Sequence, residues 1–398
     1  MEIMTKLSHF LWALVILGIV MTGSAFAESV RVGVLLPLTG KLARFGEVEQ
    51  RSFLMALNEI NKAGGVNGVR VELIIEDTTG RPDVGRSAIE KLISKDGICV
   101  VGGGYSSSVT WAAAAVAQQR HVPFLVNTAA ADRITEQGWN YVFRLNAPVS
   151  EFPDTLASFL TKVVRIKTVA VLHENSLFAR SVARNFAKLC KNIGIKVLLK
   201  EGYEAGAVNF KPLLLDVKAR KPEMVYMFSN AMEASLLMRQ SKELNLNPKL
   251  FVGSASGFAL PEFQKYAGEA AEYVFSSIPW VPSVPYPGAK KYYNSFVAQY
   301  GSSTEYHGAE AYAAMYVIAD ALKRARSMTP DDVRDALAET DMMTVFGPVR
   351  FISYRKKSQQ NRLPVFLVQW VDDKIETVWP RKTATTKYVY PMPPWRAR

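Results

Sequence analysis

The sequence predicts an α/β protein built from two Rossmann-like lobes. The chain has 398 residues, which is too long for one hydrophobic core of ordinary size. Short continuous apolar runs alternate with segments whose apolar residues recur every three or four positions. This alternation occurs twice, on either side of a connector at 141–148. Because strands that are buried on both faces are apolar throughout, each series indicates a parallel sheet covered by helices.

Residues 1–27 predict a secretory signal peptide. A basic residue precedes an apolar run at 10–20, and Ala-Phe-Ala at 25–27 provides the small residues of a cleavage site. The apolar run is too short to cross roughly 30 Å of hydrocarbon as a helix. No cysteine precedes Cys99, so the sequence has no lipid-attachment site near the cleavage point. We therefore expect a periplasmic protein without a lipid anchor.

The predicted elements follow one another in a regular order. In the first helix, Phe53, Ala56, Leu57 and Ile60 fall on one face. The first series has strands at 30–36, 69–75, 98–101 and 122–126, and helices at 46–62, 83–95 and 108–120. The second has strands at 168–172, 195–200, 224–228 and 250–252, and helices at 177–192, 208–220 and 231–245. Helices at 289–300, 309–325 and 330–339 and a hairpin of 364–371 with 374–379 complete the chain.

The charge argues against one class of partner, and the positions of the two cysteines argue against a disulfide. The net charge is +12, and residues 350–398 hold 11 Lys or Arg against 3 Asp or Glu. An exported chain without a recognised motif is not expected to bind nucleic acid. The basic end is either a solvated tail or a docking face for an anionic membrane or transporter surface. Cys99 and Cys190 fall in separate halves of the chain, and we expect both to be buried and unpaired.

Signatures of catalysis and metal binding are missing from the sequence. A segment that resembles a nucleophile elbow has Ala255 where its serine would have to be. The three histidines after the signal peptide show no metal-ligand spacing. An enzyme would need an acid–base pair, and the only neighbouring pair is His173 with Glu174, whose side chains need not face the same way. We therefore expect no enzyme, no catalytic residue, no metal and no cofactor.

The most informative segment is Gly-Gly-Gly-Tyr-Ser-Ser-Ser at 102–108, between a predicted strand and a predicted helix. The glycines let a ligand approach the backbone. The serines place hydroxyls beside the unpaired N–H groups and the positive dipole end of the helix. Open α/β sheets bind ligands at such carboxyl ends of strands. The segment therefore predicts a site for an anion such as a carboxylate, with a plain serine N-cap as the alternative.

Five motifs are spaced along the chain, namely VGVLLPLTG at 32–40, NEINKAGG at 58–65, GGYSSS at 103–108, GEAAEY at 268–273 and FGPVRF at 346–351. Together they resemble the leucine/isoleucine/valine-binding proteins, which are type I periplasmic solute receptors of ABC importers. The resemblance implies two lobes that are joined by three crossover strands and close by hinge motion on a ligand between them. It implies a first lobe of 28–142 with 280–346, a second lobe of 149–272 with 353–398, and crossovers near 143–148, 273–279 and 347–352.

The resemblance also implies which residues bind the ligand carboxylate. Ser106 and Ser107 match the family's serines for this group. In the next loop the family adds backbone groups and a threonine hydroxyl. Ala129 and Ala130 stand there in this chain, so that hydroxyl is lost unless Thr128 replaces it.

The remaining matches concern the ligand's side chain and amino group. Phe45 and Phe178 match aromatic contacts of the family, although both suit a core position as well. A second-lobe aromatic residue becomes Asn230, and the family's acid for the ligand α-ammonium becomes Ala255. Glu310 is either a substitute for that acid or an ordinary exposed glutamate. The carboxylate half of the family's pocket is thus retained, and the ammonium half is lost.

These expectations combine into a receptor that binds a branched-chain amino acid or a related small carboxylate in the cleft and delivers it to an ABC permease. One alternative ligand is an aromatic or aliphatic carboxylic acid without an amino group, held between Phe45 and Phe178. Another alternative is a sensory receptor that signals to a membrane kinase. The expected partners are a small-molecule ligand and a membrane permease, with no nucleic acid, and the expected state is a monomer.

Overall fold

The computed structural model of the protein describes residues 29–254 and 257–397, so the predicted signal peptide at 1–27 and Ala255 lie outside it. The first half contains β1 (Val30–Leu36), α1 (Ala43–Lys62), β2 (Val71–Asp77), α2 (Pro82–Ser94), β3 (Val101–Gly103), α3 (Ser107–Gln119), β4 (Phe124–Val126) and β5 (Val142–Arg144). The strand predicted at 98–101 begins only at Val101, where the chain pairs with Gly33 of β1. The apolar run at 98–101 marked burial rather than backbone pairing, because all of its residues are buried.

The second half repeats the alternation of strands and helices, as the periodicity predicts. Its elements are α4 (Pro153–Phe159), β6 (Thr168–Glu174), α5 (Leu177–Asn192), β7 (Lys196–Tyr203), α6 (Lys211–Arg220), β8 (Met224–Phe228), α7 (Ala231–Glu243), β9 (Leu250–Ser254), α8 (Pro261–Ala267) and β10 (Phe275–Ile278). Strand β6 is longer than predicted and ends at Glu174 rather than at Leu172.

The end of the chain adds three helices and six short strands. They are α9 (Ala289–Tyr300), α10 (Tyr306–Arg324), α11 (Pro330–Ala338), β11 (Asp341–Thr344), β12 (Gly347–Arg350), β13 (Ile352–Tyr354), β14 (Lys357–Gln360), β15 (Phe366–Val371) and β16 (Lys374–Trp379). Strands β15 and β16 pair antiparallel, which confirms the predicted hairpin. Asp372 and Asp373 both have positive φ, at 51° and 61°, as a two-residue hairpin turn of type I′ requires.

Two seven-stranded sheets form the two lobes. The first has the order β13-β14-β5-β4-β3-β1-β2, and the second has the order β16-β15-β10-β9-β8-β6-β7. The chain passes between the sheets three times, after β5, after β10 and after β14. The predicted fold of two α/β lobes with three crossovers is therefore confirmed.

The third crossover lies further along the chain than predicted. We expected it near 347–352, with residues 353–398 in the second lobe. Instead, β14 pairs with β5 of the first sheet through Gln360 and Arg144. Arg144 Nε also donates to Gln360 Oε1 over 2.6 Å in a fully buried position. The first lobe therefore includes β13 and β14, whose polar sequence has no apolar run to indicate a strand of a central sheet.

Each lobe has its own hydrophobic core. Phe53 of α1 is fully buried in the first lobe, and the rings of Phe186 and Tyr226 stack at 3.6 Å in the second. Burial of each such side chain stabilises the fold by roughly 1.5–3 kcal/mol. Cys99 belongs to the first core and Cys190 to the second, and both are buried and free. This confirms the prediction that they are unpaired.

Polar contacts join the two lobes across the cleft. Arg44 Nε of α1 donates to Glu262 Oε1 of α8 over 2.5 Å, and both side chains are partly exposed. Asn185 Nδ2 of α5 donates to Asp132 Oδ2, in the loop after β4, over 2.9 Å. These bonds join residues of opposite lobes, so the cleft is closed around the cavity that it contains.

Candidate ligand-binding cavity between the lobes

A glycine turn places the serine segment at the carboxyl edge of the first sheet. Gly103 ends β3 with φ of +105°, and a Cβ there would lie 2.4 Å from the carbonyl oxygen of Leu35. Gly104 follows with φ of +94°, and its N–H donates to the same oxygen over 3.0 Å. Only glycine tolerates this conformation beside a neighbouring strand. The turn lets the chain leave β3 and begin α3 at Ser107.

A cavity of about 170 Å³ lies between the lobes in front of this turn. The part of the chain up to β5, together with α10, contributes Leu42, Tyr105, Ser106, Ser107, Ser108, Thr128, Ala130, Tyr306 and His307 to its wall. The first crossover and the second lobe contribute Asn146, Phe152, Glu174, Ser176, Leu177, Phe178 and Asn230. Both polar and apolar side chains of both lobes therefore face the same space.

The predicted site residues divide into three groups. Five of them line the cavity, namely Ser106, Ser107, Ala130, Phe178 and Asn230. Three are buried but do not line it, namely Phe45, Ala129 and Glu310. Ala255 lies outside the described residues.

The serine end of the cavity has the character of an anion site. Ser106 occupies the N-cap position of α3 without making a side-chain capping bond. Its hydroxyl lies 3.2 Å from that of Ser108, and the Ser107 hydroxyl accepts from the N–H of Ala131 over 3.3 Å. The first-turn N–H groups and the positive end of the helix dipole point to the same place. Hydroxyl and amide hydrogens are thus available to an anion here.

Thr128 does not replace the missing threonine of the family, because its hydroxyl is already saturated. Thr128 Oγ1 lies 2.6 Å from Glu49 Oε1 and 2.6 Å from Glu310 Oε2, and it accepts from Asn127 Nδ2 over 3.0 Å. A hydroxyl has one hydrogen to donate and two lone pairs. It donates to one carboxylate only, so the other carboxyl must be protonated and donate to it. No hydrogen-bonding capacity is then left for a ligand.

Burial also favours a proton on this pair of carboxyl groups. Glu49 and Glu310 are both fully buried. Burial raises the pKa of Glu49 from 4.5 to about 8, against the opposing hydrogen bonds from Thr128 and Asn127. Burial likewise raises the pKa of Glu310 well above its ordinary value. Glu310 is therefore neither an ordinary exposed glutamate nor part of the cavity wall, but half of a buried acid pair behind Thr128.

Aromatic side chains form the rest of the first-lobe wall, and Phe45 and Glu305 support it from behind. Phe45 stacks on Tyr105 with ring centroids 4.8 Å apart, so it supports the wall from behind instead of facing the cavity. His307 lines the cavity, and its Nδ1 lies 2.6 Å from Glu305 Oε2. Burial disfavours the charged form of Glu305, but His307 and Arg44 outweigh it and lower the pKa of this carboxyl. Glu305 is therefore ionised behind the wall.

The second-lobe wall contains a carboxylate that sequence reasoning did not assign to ligand binding. Glu174 ends β6 at the cavity, and Asn230 Nδ2 donates to its Oε2 over 2.5 Å. His173 points differently, with Nδ1 lying 3.0 Å from the backbone oxygen of Glu174 rather than from its carboxylate. From the sequence, Glu174 was discussed only as a possible acid–base partner of His173. Its position at the carboxyl end of a parallel strand was the signal that could have identified it.

The described residues were also searched for a metal site and for membrane-spanning helices. Across 29–254 and 257–397, no group of three or more His, Cys, Asp or Glu residues is arranged to hold a metal ion. None of the helices in this part of the chain has the length and apolar character needed to cross a membrane.

The chain is similar to known proteins over most of its length. A family model described as periplasmic binding protein matches residues 29–374. The leucine-, isoleucine-, valine-, threonine- and alanine-binding protein of Pseudomonas aeruginosa is 28% identical over 372 residues, which cover 94% of this chain and 98% of that protein.

Solved structures share the fold. The isoleucine complex of the branched-chain amino acid transporter substrate-binding protein LivJ from Streptococcus pneumoniae has a TM-score of 0.80 at 23% identity, covering 89% of this chain and all of that one. A solute-binding protein of an ABC transporter from Rhodopseudomonas palustris, in complex with benzoate, has a TM-score of 0.77 at 19% identity, covering 88% and 95%. Ligands of different chemistry are therefore found in neighbours of the same fold.

Proposed function

Because the chain belongs to the periplasmic binding protein family, we propose that it is the receptor of an ABC importer for a branched-chain or similar small apolar amino acid. The members of this family are solute-binding proteins and not enzymes. In the proposed role, the ligand occupies the interlobe cavity of a periplasmic monomer, and the closed protein delivers it to a membrane permease.

The observation that carries this proposal is the serine cluster at the start of α3. Ser106 and Ser107 line the cavity, and Ser106 does not use its hydroxyl to cap the helix. A ligand carboxylate there would accept hydrogen bonds from hydroxyl and amide groups beside the positive end of the helix dipole. Hydrogen bonds to a charged group are worth roughly 1.5–3 kcal/mol each.

The cavity wall also includes apolar side chains that suit an apolar part of the ligand. Leu42 approaches from the first lobe, and Phe152, Leu177 and Phe178 approach from the second. These side chains cannot hydrogen-bond through their side-chain atoms, so they favour an aliphatic or aromatic tail over a polar one. The second candidate ligand, a carboxylic acid without an amino group, would use the same serines and the same apolar wall. The absence of Glu310 from the cavity wall supports that candidate, and the presence of Glu174 on the wall opposes it.

A calorimetric titration tests the proposal. Aliphatic and aromatic amino acids and their des-amino analogues are titrated into the mature protein and into the double variant Ser106→Ala, Ser107→Ala. We expect at least one of these ligands to bind, and the double variant to bind it at least about tenfold more weakly.

The matched control is Ser87→Ala, Ser94→Ala, which removes two exposed serine hydroxyls of α2 in the same lobe. It should bind like the unmodified protein. Unchanged affinity in the Ser106, Ser107 variant, or no binding of any tested ligand, would overturn the proposal.

A further inference from the structure

The second-lobe wall of the cavity presents a carboxylate, Glu174, directly to the ligand space. We propose that Glu174 binds the ligand's ammonium group, so that the receptor selects an α-amino acid over the same acid without its amino group. This inference rests on the proposed function, because it assumes that the ligand carboxylate lies at the serine cluster. It replaces the acid that the family resemblance places at Ala255.

The backbone turn at Glu174 and one hydrogen bond position its carboxylate. Glu174 is the last residue of β6, and Ser176 fixes the following turn by accepting from the N–H of Ala179 over 3.2 Å. Asn230, the N-cap residue of α7, donates to Glu174 Oε2 from the neighbouring strand–helix turn. A carboxylate that already has this hydrogen bond needs less ordering by the ligand.

The charge of Glu174 lacks a partner within the described part of the protein. No Lys, Arg or His nitrogen there forms an ion pair with it within 4.0 Å. Burial raises the pKa of Glu174, repulsion from Glu233 raises it further, and attraction to Lys41 offsets only part of this effect. A partly buried carboxylate of this kind is stabilised by a cation that enters the cavity.

The remaining charges around the cavity also favour a positive group on the ligand. Behind the first-lobe wall, Glu305 is ionised, whereas the pair of Glu49 and Glu310 holds a proton at the Thr128 hydroxyl. The negative charge of Glu174 beside the ligand space repels a ligand that carries only negative charge. A zwitterion places its carboxylate at the serines and its ammonium at the acid, so both ends are matched.

The two charged subsites come from opposite lobes. Ser106 and Ser107 belong to the first lobe, and Glu174 belongs to the second. A zwitterion that contacts both subsites therefore links the lobes in the closed form, which Arg44 and Glu262 also link. A ligand without the amino group contacts the serines alone and gives less support to closure.

The test compares leucine with 4-methylpentanoate, its des-amino analogue, by calorimetry. The variants are Glu174→Gln, Glu174→Asp and the control Glu201→Gln, which makes the same change at an exposed position of β7 in the same lobe. We expect the unmodified protein to bind leucine at least about tenfold more tightly than 4-methylpentanoate. Glu174→Gln should remove this preference by weakening leucine binding while leaving 4-methylpentanoate binding unchanged or stronger. Glu174→Asp should retain part of the preference, and Glu201→Gln all of it.

Binding of 4-methylpentanoate also reports that the Glu174 variants are folded. A leucine preference that survives Glu174→Gln, an equal loss of both ligands, or a stronger affinity of the unmodified protein for 4-methylpentanoate would overturn the role of Glu174. None of those results bears on carboxylate binding at the serines, which the Ser106→Ala, Ser107→Ala variant tests separately. Failure of the unmodified protein to bind either compound would overturn the proposed function, and the ammonium site with it.

Discussion

Replacing Glu49 by glutamine should change how the stability of the protein depends on pH. The carboxyls of Glu49 and Glu310 share the Thr128 hydroxyl over 2.6 Å each, which requires a proton on the pair. In the Glu49→Gln variant, the new side-chain amide donates an N–H to the threonine oxygen without that proton, and the hydroxyl then donates to Glu310. Glu49→Gln therefore keeps the hydrogen bonds at Thr128 but removes the titratable carboxyl group of residue 49.

The sign and size of the effect follow from the raised pKa. Burial raises the pKa of Glu49 from 4.5 to about 8, so the folded state favours the protonated form. This contribution to stability is fully present below about pH 4.5 and is lost as the pH rises through about 8. A difference of this size corresponds to roughly 5 kcal/mol, at about 1.4 kcal/mol for each tenfold change in proton affinity.

Urea unfolding at several pH values between about 4.5 and 9 measures the effect. The free energy of unfolding of the unmodified protein should fall relative to that of Glu49→Gln as the pH rises, so that the variant becomes the more stable protein near pH 8. Glu201→Gln, at an exposed position, should follow the unmodified protein throughout. Parallel curves for Glu49→Gln and the unmodified protein, or a relative gain of the unmodified protein at high pH, would refute the shared proton.

Three further predictions concern closure, thiol reactivity and the glycine turn. Arg44→Met removes the interlobe ion pair with Glu262 and should weaken ligand binding by roughly up to fivefold, mainly through faster dissociation in stopped-flow experiments; an unchanged dissociation rate would contradict it. Burial raises the pKa of Cys99 to about 11 and that of Cys190 to about 12. Neither thiol should therefore react with an aromatic disulfide reagent until guanidinium unfolds the protein. Rapid labelling of either thiol in the native protein would be inconsistent with the fold. Gly103→Ala brings a Cβ to 2.4 Å from a backbone oxygen at positive φ and should destabilise the protein by roughly 1–3 kcal/mol or more, whereas an unchanged melting temperature would argue against the turn as described.

The spacing of apolar residues was enough to predict the fold, because the pattern of each buried strand or amphipathic helix lies within one short segment of the sequence. The helix around Phe53 and the hairpin around Asp372 are examples, since neither depends on distant residues for its pattern. The serine cluster could be predicted for the same reason, because the glycine turn, the serines and the helix start are consecutive in the sequence.

The features that escaped prediction depend on residues that are far apart in the chain. Strand β14 joins the first sheet because Gln360 meets Arg144, and nothing in its polar sequence indicates that partner. Glu310 is buried because Thr128 and Glu49 surround it, which helix periodicity alone does not reveal. Glu174 reaches the cavity because β6 extends two residues beyond the predicted end of its apolar run.

The most direct test of the central claim is a crystal structure of the mature protein grown with leucine. The account predicts leucine in the interlobe cavity, with its carboxylate within about 3.2 Å of the Ser106 or Ser107 hydroxyl or of a first-turn N–H of α3. Its side chain should lie against Phe152 and Phe178. A protein that closes without leucine in this cavity, or leucine bound with its carboxylate turned away from the serine cluster, would contradict the account.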